Sequence, residues 1–274
     1  MAGRIDFSSV RRKSLSVAVL ASSIAAFALP GGAGEAGSPS GTFLTLSDVH
    51  YDGNAQDVWG SQQETSRILW TRAQDESKRL VAEKNPGFVI YLGDLPAHNM
   101  DAGRRETQFR AVLDGLQSIV AGTGKRLIYV PGNNDSVAPD YCAFTEGGET
   151  PFDHASDPKA WPVVNSKPAD FINRDNLAKG YYSVYPLGAP AGAGTSPNLR
   201  VVTLNSVIFN PNYGGFAGTC VSPSVRQDDA NGQIEWLRGE LQAARDAGHK
   251  VLIAMHVPPG VNGYGSWHNP DAIV

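Results

Sequence analysis

The chain has 274 residues, 41% of them hydrophobic and 18% charged, the make-up of an ordinary folded protein with a sizeable core. Its formal net charge of -4 at pH 7 and isoelectric point near 5.9 exclude a nucleic-acid binder held by a general basic field, which needs clustered Lys and Arg to displace counterions. No nucleic-acid binding module is expected, although a local cationic pocket remains allowed.

At the N-terminus, Arg11, Arg12 and Lys13 precede the apolar run Leu15 to Leu29, which is shorter than the roughly 20 residues a membrane span needs. A positive stretch, a short apolar stretch and small-x-small motifs at Ala26-Phe27-Ala28 or Gly34-Glu35-Ala36 have the layout of a secretory leader. Residues 1–36 therefore read as a signal peptide, with an uncleaved anchor as the alternative. A periplasmic or secreted protein is expected, with no stable transmembrane segment once the leader is removed. The Arg11-Arg12 pair matches twin-arginine export, but Ser14 stands where such signals usually carry an aromatic or large apolar residue.

From Gly41 onward short β-rich runs alternate with helical periodicity, which predicts an α/β protein. The expected strands are Thr42 to Leu46, Phe88 to Leu92, Leu127 to Val130, Tyr181 to Tyr185, Val201 to Leu204 and Val251 to Met255. Phe109, Val112, Leu113, Leu116, Ile119 and Val120 share one helical face between Gly103 and Gly122, and Ile234, Leu237 and Leu241 predict a helix before His249. Val137 to Lys179 is rich in Pro, Asp, Gly and aromatics without a period and reads as a long loop. No internal repeat or domain-splitting linker interrupts the chain. Export permits a disulfide between Cys142 and Cys220, but their spacing is equally consistent with two free thiols.

Metal-ligand residue types follow four of the strands: Asp48-Val49-His50, then Gly93-Asp94 with His98, then Gly132-Asn133-Asn134-Asp135, then His256. Singly each has a bland explanation, since Asp48, Asn133 and Asn134 suit turns and Asp94 a helix cap. Four clusters in this order, each directly after a strand, outweigh it, because α/β sheets place their sites at strand ends and oxygen and imidazole donors suit divalent metals.

This order resembles the calcineurin-like metallophosphoesterases, whose pattern is Asp-x-His, Gly-Asp, Gly-Asn-His-Asp/Glu, a lone His and Gly-His-x-His. Within them GDLPAHN, GQIEWLRGELQAARDAGHK and VLIAMHVPPG are similar to the acid sphingomyelinase-like phosphodiesterases, and the resemblance spans Leu44 to Gly260. It implies a layered β-sandwich core flanked by helices and one catalytic domain over residues 41–274. It also implies two divalent ions (Zn, Mn or Fe), with Asp48 and His50 on one, Asn133 and His256 on the other and Asp94 bridging. The two ions would activate a water and stabilise the phosphoryl oxygens of a small-molecule or lipid phosphoester. His98 matches a histidine near the leaving group, suited to protonate it. Asn205 resembles a site-edge asparagine, a turn role being equally open. His154, His249 and His268 match nothing.

Two departures stand out. No Gly-His-x-His occurs before Val274, so the catalytic domain is expected to lack its last part. Asn134 replaces a family histidine; an amide is no general acid, though it can donate to a phosphate oxygen, and Gly-Asn-Asn-Asp also resembles endopolyphosphatase-like members. The expected activity is hydrolysis of a phosphodiester, a phospholipid headgroup or a nucleotide. The alternatives are a polyphosphatase or pyrophosphatase, or a non-catalytic binder of metal or phosphate. No oligomeric state follows from the sequence.

Overall fold

The computed structural model describes residues 17–20, 27–28, 41–55, 64–98, 101–163, 167–190, 199–215, 220–261 and 267–268. Along the chain run β1 (Val17–Leu20), β2 (Phe27–Ala28), β3 (Thr42–Leu46), α1 (Arg67–Lys84), β4 (Val89–Tyr91), α2 (Ala102–Val120), β5 (Leu127–Tyr129) and β6 (Phe171–Asn173). They continue with β7 (Tyr182–Val184), β8 (Leu199–Leu204), α3 (Pro223–Asp246), β9 (Lys250–Met255), β10 (Gly260–Val261) and β11 (Trp267–His268). One sheet has the order β2-β3-β4-β5, with β3, β4 and β5 parallel; the other has the order β1-β9-β8-β7-β6, with β8 and β9 parallel and β7 and β6 antiparallel.

Alternation of side chains along the strands makes the layers. Successive strand residues point to opposite faces. On one face of the first sheet, Phe43, Phe88, Ile90, Leu92, Ile128 and Val130 pack against Tyr182, Val184, Val201, Leu252 and Ala254 of the second, forming the inner layer of a sandwich. The neighbours Val89, Tyr91, Leu127 and Tyr129 face the other way, onto Phe109, Val112, Leu113 and Leu116 of α2 and Trp70 of α1. Val202, Leu204, Val251, Ile253 and Met255 likewise meet Trp236, Leu237, Leu241 and Ala244 of α3. The architecture is thus helix, sheet, sheet, helix, the expected layered sandwich. Each fully buried Leu or Phe of α2 contributes about 1.5–3 kcal/mol.

Each expected strand exists, Thr42–Leu46 with the expected ends and the others with ends shifted by at most two residues. The α2 helix starts on an Asp101 cap, whose side chain accepts from Arg104 N, and stops before Gly122, which has φ 72°. Helix α1 and strand β6 were not anticipated. The α1 helix seats Trp70 against Gly115 of α2, where a Cβ would lie 2.7 Å from the indole nitrogen. The loop from Val137 also proves more ordered than its composition implied: it folds into 3-10 turns, and Phe144, Phe152 and Trp161 bury themselves around Tyr129. Cys142 and Cys220 form a disulfide, which decides between the two readings of that pair.

Within the segment read as a leader, β1 lies parallel to β9 and β2 antiparallel to β3, pairings that the sequence reading did not foresee. Arg11, Arg12, Lys13 and Gly34-Glu35-Ala36 lie outside the described residues.

Candidate metal centre

Strands β3, β4, β5 and β9 run out into polar loops that converge. Asp48, His50 and Asp94 adopt left-handed backbone angles, φ 54°, 43° and 65°. That region costs a residue other than glycine about 1–3 kcal/mol and persists only where the surroundings over-determine it. Here the over-determination is explicit. Asp48 N donates to Gly93 O (2.9 Å), His50 N to Asp94 O (3.1 Å) and Tyr51 N to Leu95 O (3.0 Å), stitching the first loop to the second. The Asp135 carboxylate accepts from the backbone N–H groups of Asp94 (2.9 Å), Leu95 (2.7 Å) and Gly132 (2.7 Å), stitching the second loop to the third. Arg105, buried beneath, donates to the carbonyls of Asn134 (2.8 Å) and Ser136 (3.2 Å). Gly132 is required because a Cβ there would overlap Asp94 Oδ1 and the Asp94 backbone nitrogen.

These constraints put the Asp94 carboxylate at the centre. Its Oδ2 lies 3.3 Å from His50 Nε2 and 3.5 Å from His256 Nε2, and His50 Nε2 is 3.8 Å from Asp48 Oδ1. His256 Nδ1 donates to Leu92 O at 2.7 Å, which leaves Nε2 as the nitrogen facing the site. That Nε2 is 3.2 Å from Asn133 Oδ1. Three acceptors, Asp94 Oδ2, Asn133 Oδ1 and His256 Nε2, therefore converge. Such lone pairs repel unless a proton or a metal cation sits among them, and oxygen and imidazole donors of this kind fit a hard or borderline divalent metal. Asp48, Asp94 and His256 each offer a ligand atom, all within 4.8 Å of one another, as do His50, Glu64 and His98.

The protonation of these groups reports the same demand for positive charge. Burial works against the His50 imidazolium, but the neighbouring carboxylates of Asp48, Asp94 and Glu64 outweigh it and push His50 up to about 9. Burial likewise opposes charge on His256, and the carboxylates of Asp94, Asp48 and Asp135 overcome it, raising that group as well. For Asp48 burial favours the neutral acid, yet the nearby His50 ring and a hydrogen bond from Ser47 hold the carboxyl below its ordinary value. A site that draws protons onto its imidazoles is one where metal cations compete for the same lone pairs.

All seven candidate residues, Asp48, His50, Asp94, His98, Asn133, Asn134 and His256, come together. Asn134 does so differently from the expectation of a phosphate donor. It is fully buried, its backbone N–H donates to Asp94 Oδ1 (2.9 Å) and its Nδ2 to Asp94 Oδ2 (3.1 Å). The same Nδ2 is 3.4 Å from both His50 Nδ1 and His98 Nε2. The amide is turned inward and holds other groups. His98 stacks on His50 with ring centroids 4.5 Å apart, and its side chain is 46% exposed, open to an incoming ligand. Sequence reasoning missed Glu64, whose Oε1 accepts from His98 Nδ1 at 2.8 Å. Asn205 fills the structural option: it exchanges hydrogen bonds with Gln233 and donates to Lys179 O. His154 stacks on Phe109 and His249 meets Tyr185 edge-on, both apart from the centre.

A family model described as calcineurin-like phosphoesterase matches residues 41–274. The chain is 31% identical over 183 residues to a sphingomyelin phosphodiesterase of Homo sapiens, covering 63% of this chain and 25% of that protein. It is 26% identical over 251 residues to sphingomyelinase phosphodiesterase C of Dictyostelium discoideum (81% of this chain, 50% of that protein). It is also 26% identical over 184 residues to an endopolyphosphatase of Neurospora crassa (63% and 22%). The chain thus spans between about a quarter and a half of these relatives.

Proposed function

Because the chain belongs to the calcineurin-like phosphoesterase family, we propose that it hydrolyses phosphoric esters, with a phosphodiester as substrate, at a pair of divalent cations. The observation that carries this reading is the Asp94 carboxylate lying between two imidazoles, 3.3 Å from one and 3.5 Å from the other. Asp48 and His50 would hold one ion and Asn133 and His256 the other, with Asp94 shared. When bound, such ions supply an activated water and stabilise charge on the phosphoryl oxygens.

The remaining work falls to the chain itself. Asp135 and Arg105 keep the loops in register, and the Leu92 carbonyl keeps His256 Nε2 turned inward. His98, exposed beside His50, gives a proton to the departing oxygen. Asn134, with no titratable proton, fixes the orientation of Asp94.

The sphingomyelin phosphodiesterase relatives favour a phospholipid-headgroup diester. A second reading, cleavage of a phosphoanhydride chain, is favoured by Asn134, because a phosphate leaves with little protonation, and by the endopolyphosphatase relative. Export is supported by the Arg11-Arg12-Lys13 and apolar-run layout and by the Cys142–Cys220 disulfide, a bond that persists in oxidising compartments. Loading the purified chain with manganese or zinc and assaying a chromogenic phosphodiester tests the proposal, with Asp94→Asn as control. Metal-independent or absent turnover rejects it, and metal uptake without any turnover identifies a non-catalytic binder. Side-by-side rates on polyphosphate and a sphingomyelin analogue separate the two substrate readings.

A further inference from the structure

We propose that Glu64 is a positioning residue for His98, a role that rests on the reading of His98 as the proton donor to the leaving group. Glu64 lies in no motif and on no strand, yet one of its oxygens holds His98 twice. Oε1 accepts from the His98 backbone N–H at 3.2 Å and from ring Nδ1 at 2.8 Å. The approach is built into the fold. Tyr51 bridges in parallel to Thr65 on one side and to Pro96 on the other, so the segments carrying Glu64 and His98 flank the Asp-x-His loop through isolated bridges. Thr65 N donates to His50 O at 2.9 Å, Asp52 N to Thr65 O at 3.0 Å and Ala97 N to Tyr51 O at 3.2 Å.

A carboxylate only accepts, so the Nδ1 it faces carries the hydrogen. Nε2 is then the nitrogen left to carry a transferable proton. The ring plane is set by the stack on His50, at an interplanar angle of 15°, and its Nε2 edge is directed to Asn134 Nδ2 at 3.4 Å. The amide nitrogen offers a protonated Nε2 no lone pair, so that edge of the ring is free to turn to a substrate oxygen. His98 and Glu64 are 46% and 29% exposed at the side chain, so the pair opens onto the side from which substrate arrives.

The same atoms, with His50, also have the make-up of a metal-ligand group. The 2.8 Å separation of His98 Nδ1 from Glu64 Oε1 favours the hydrogen bond. Two ligands of a tetrahedral ion at about 2.0–2.2 Å from the metal stand roughly 3.3 Å apart. In the step itself, water oxygen bonds to phosphorus, the bond from phosphorus to the leaving oxygen breaks, and that oxygen takes the proton from His98 Nε2. The proton surrendered by the water restores Nε2, while Nδ1–H stays on Glu64 throughout.

The test uses the manganese-loaded full chain and two phosphocholine diesters, one departing as 4-nitrophenolate and one as a primary alkoxide. Outer partners of catalytic imidazoles matter by about 10–100-fold, so Glu64→Leu should lower kcat on the alkoxide ester by that factor and leave the nitrophenolate ester within a few-fold. Glu64→Gln, whose amide oxygen still accepts from Nδ1–H, should recover most of the loss. His98→Asn should show the same selectivity at about 10²–10⁴-fold. If His98→Asn slows both esters alike or neither, the reading of His98 falls. If His98→Asn is selective and Glu64→Leu is not, that reading stands and the role of Glu64 is overturned; it is overturned equally if Glu64→Leu strips metal from the chain. The 15N shifts of the His98 ring in the unsubstituted protein need neither turnover nor a variant. They should report a hydrogen on Nδ1, and a ring whose Nδ1 carries none contradicts the proposal.

Discussion

In the first sheet, the polar residues that follow β3, β4 and β5 are spent on the site: Asp48, His50, Asp94, His98, Asn133 and Asn134 all leave strand ends and converge on one centre. In the second sheet, the buried charge is spent on the fold. Arg200 of β8, 4% exposed, donates to Glu240 Oε2 of α3 at 2.7 Å, and Ser183 Oγ and Asn173 Nδ2 complete the same carboxylate at 2.6 Å and 2.9 Å. Among the described residues, only His256 crosses from that sheet to the centre. The contrast separates two uses of a buried carboxylate. Glu240 is surrounded by donors and needs nothing more; Asp94 takes donors from Asn134 but shares its site with the acceptors of Asp48 and Asn133, and calls for a cation.

That difference can be broken from either side. Asp94→Asn removes the carboxylate shared by both histidines. Single electrostatic groups in active sites are commonly worth about 10²–10³-fold, so turnover should fall by the upper end of that range or more, with metal content dropping in parallel. Arg200→Met leaves Glu240 buried without its cation and should destabilise the fold by about 3–5 kcal/mol in denaturant titration. Protein that remains folded should still bind metal with unchanged stoichiometry; loss of metal there would merge the two regions that the comparison separates. Replacing His256 by Gln, which cannot both donate to Leu92 O and present a second ring nitrogen, should weaken metal affinity by about 10–100-fold in calorimetry.

The smallest effect is on pH. With His50 raised to about 9, its proton must leave before a metal can take the nitrogen, so metal affinity should climb by up to about tenfold per pH unit and flatten above 9. The sign for stability is opposite. A raised imidazole stabilises the metal-free fold fully below its ordinary 6.5 and loses that contribution as pH rises through about 9. Melts of chelator-treated protein between pH 6 and 10 should therefore show a contribution from His50 that declines upward. Calorimetry in buffers of different ionisation heat should detect proton release on metal binding at pH 7.

Much of this was legible because strand-end loops keep their chemistry local. Asp48, Asp94 and His256 each follow an apolar run within a few residues, so the sequence marks both the sheet edge and the ligand. Helix α1 was not legible: only Trp70, Ser77 and Val81 are buried along its 18 residues, and Ile68 and Leu69 are exposed, so its apolar stripe is too thin to register. Glu64 lacked any signal because its meaning comes from the Tyr51 bridges, which bring Glu64 to His98, 34 positions away in sequence. The inward turn of Asn134 is also a tertiary fact, decided by Asp94 and two rings from other loops. The Val137 to Lys179 region looked like a loop since its aromatics pack by 3-10 turns around Tyr129, without a period that sequence could display.

Crystals of the chain soaked in manganese, with data collected at the manganese absorption edge, test the central claim most directly. The account predicts two anomalous peaks flanking the Asp94 carboxylate, one against Asp48 and His50 and the other against Asn133 and His256. Peaks that avoid Asp94, or a single ion held by His50, Glu64 and His98, would contradict it.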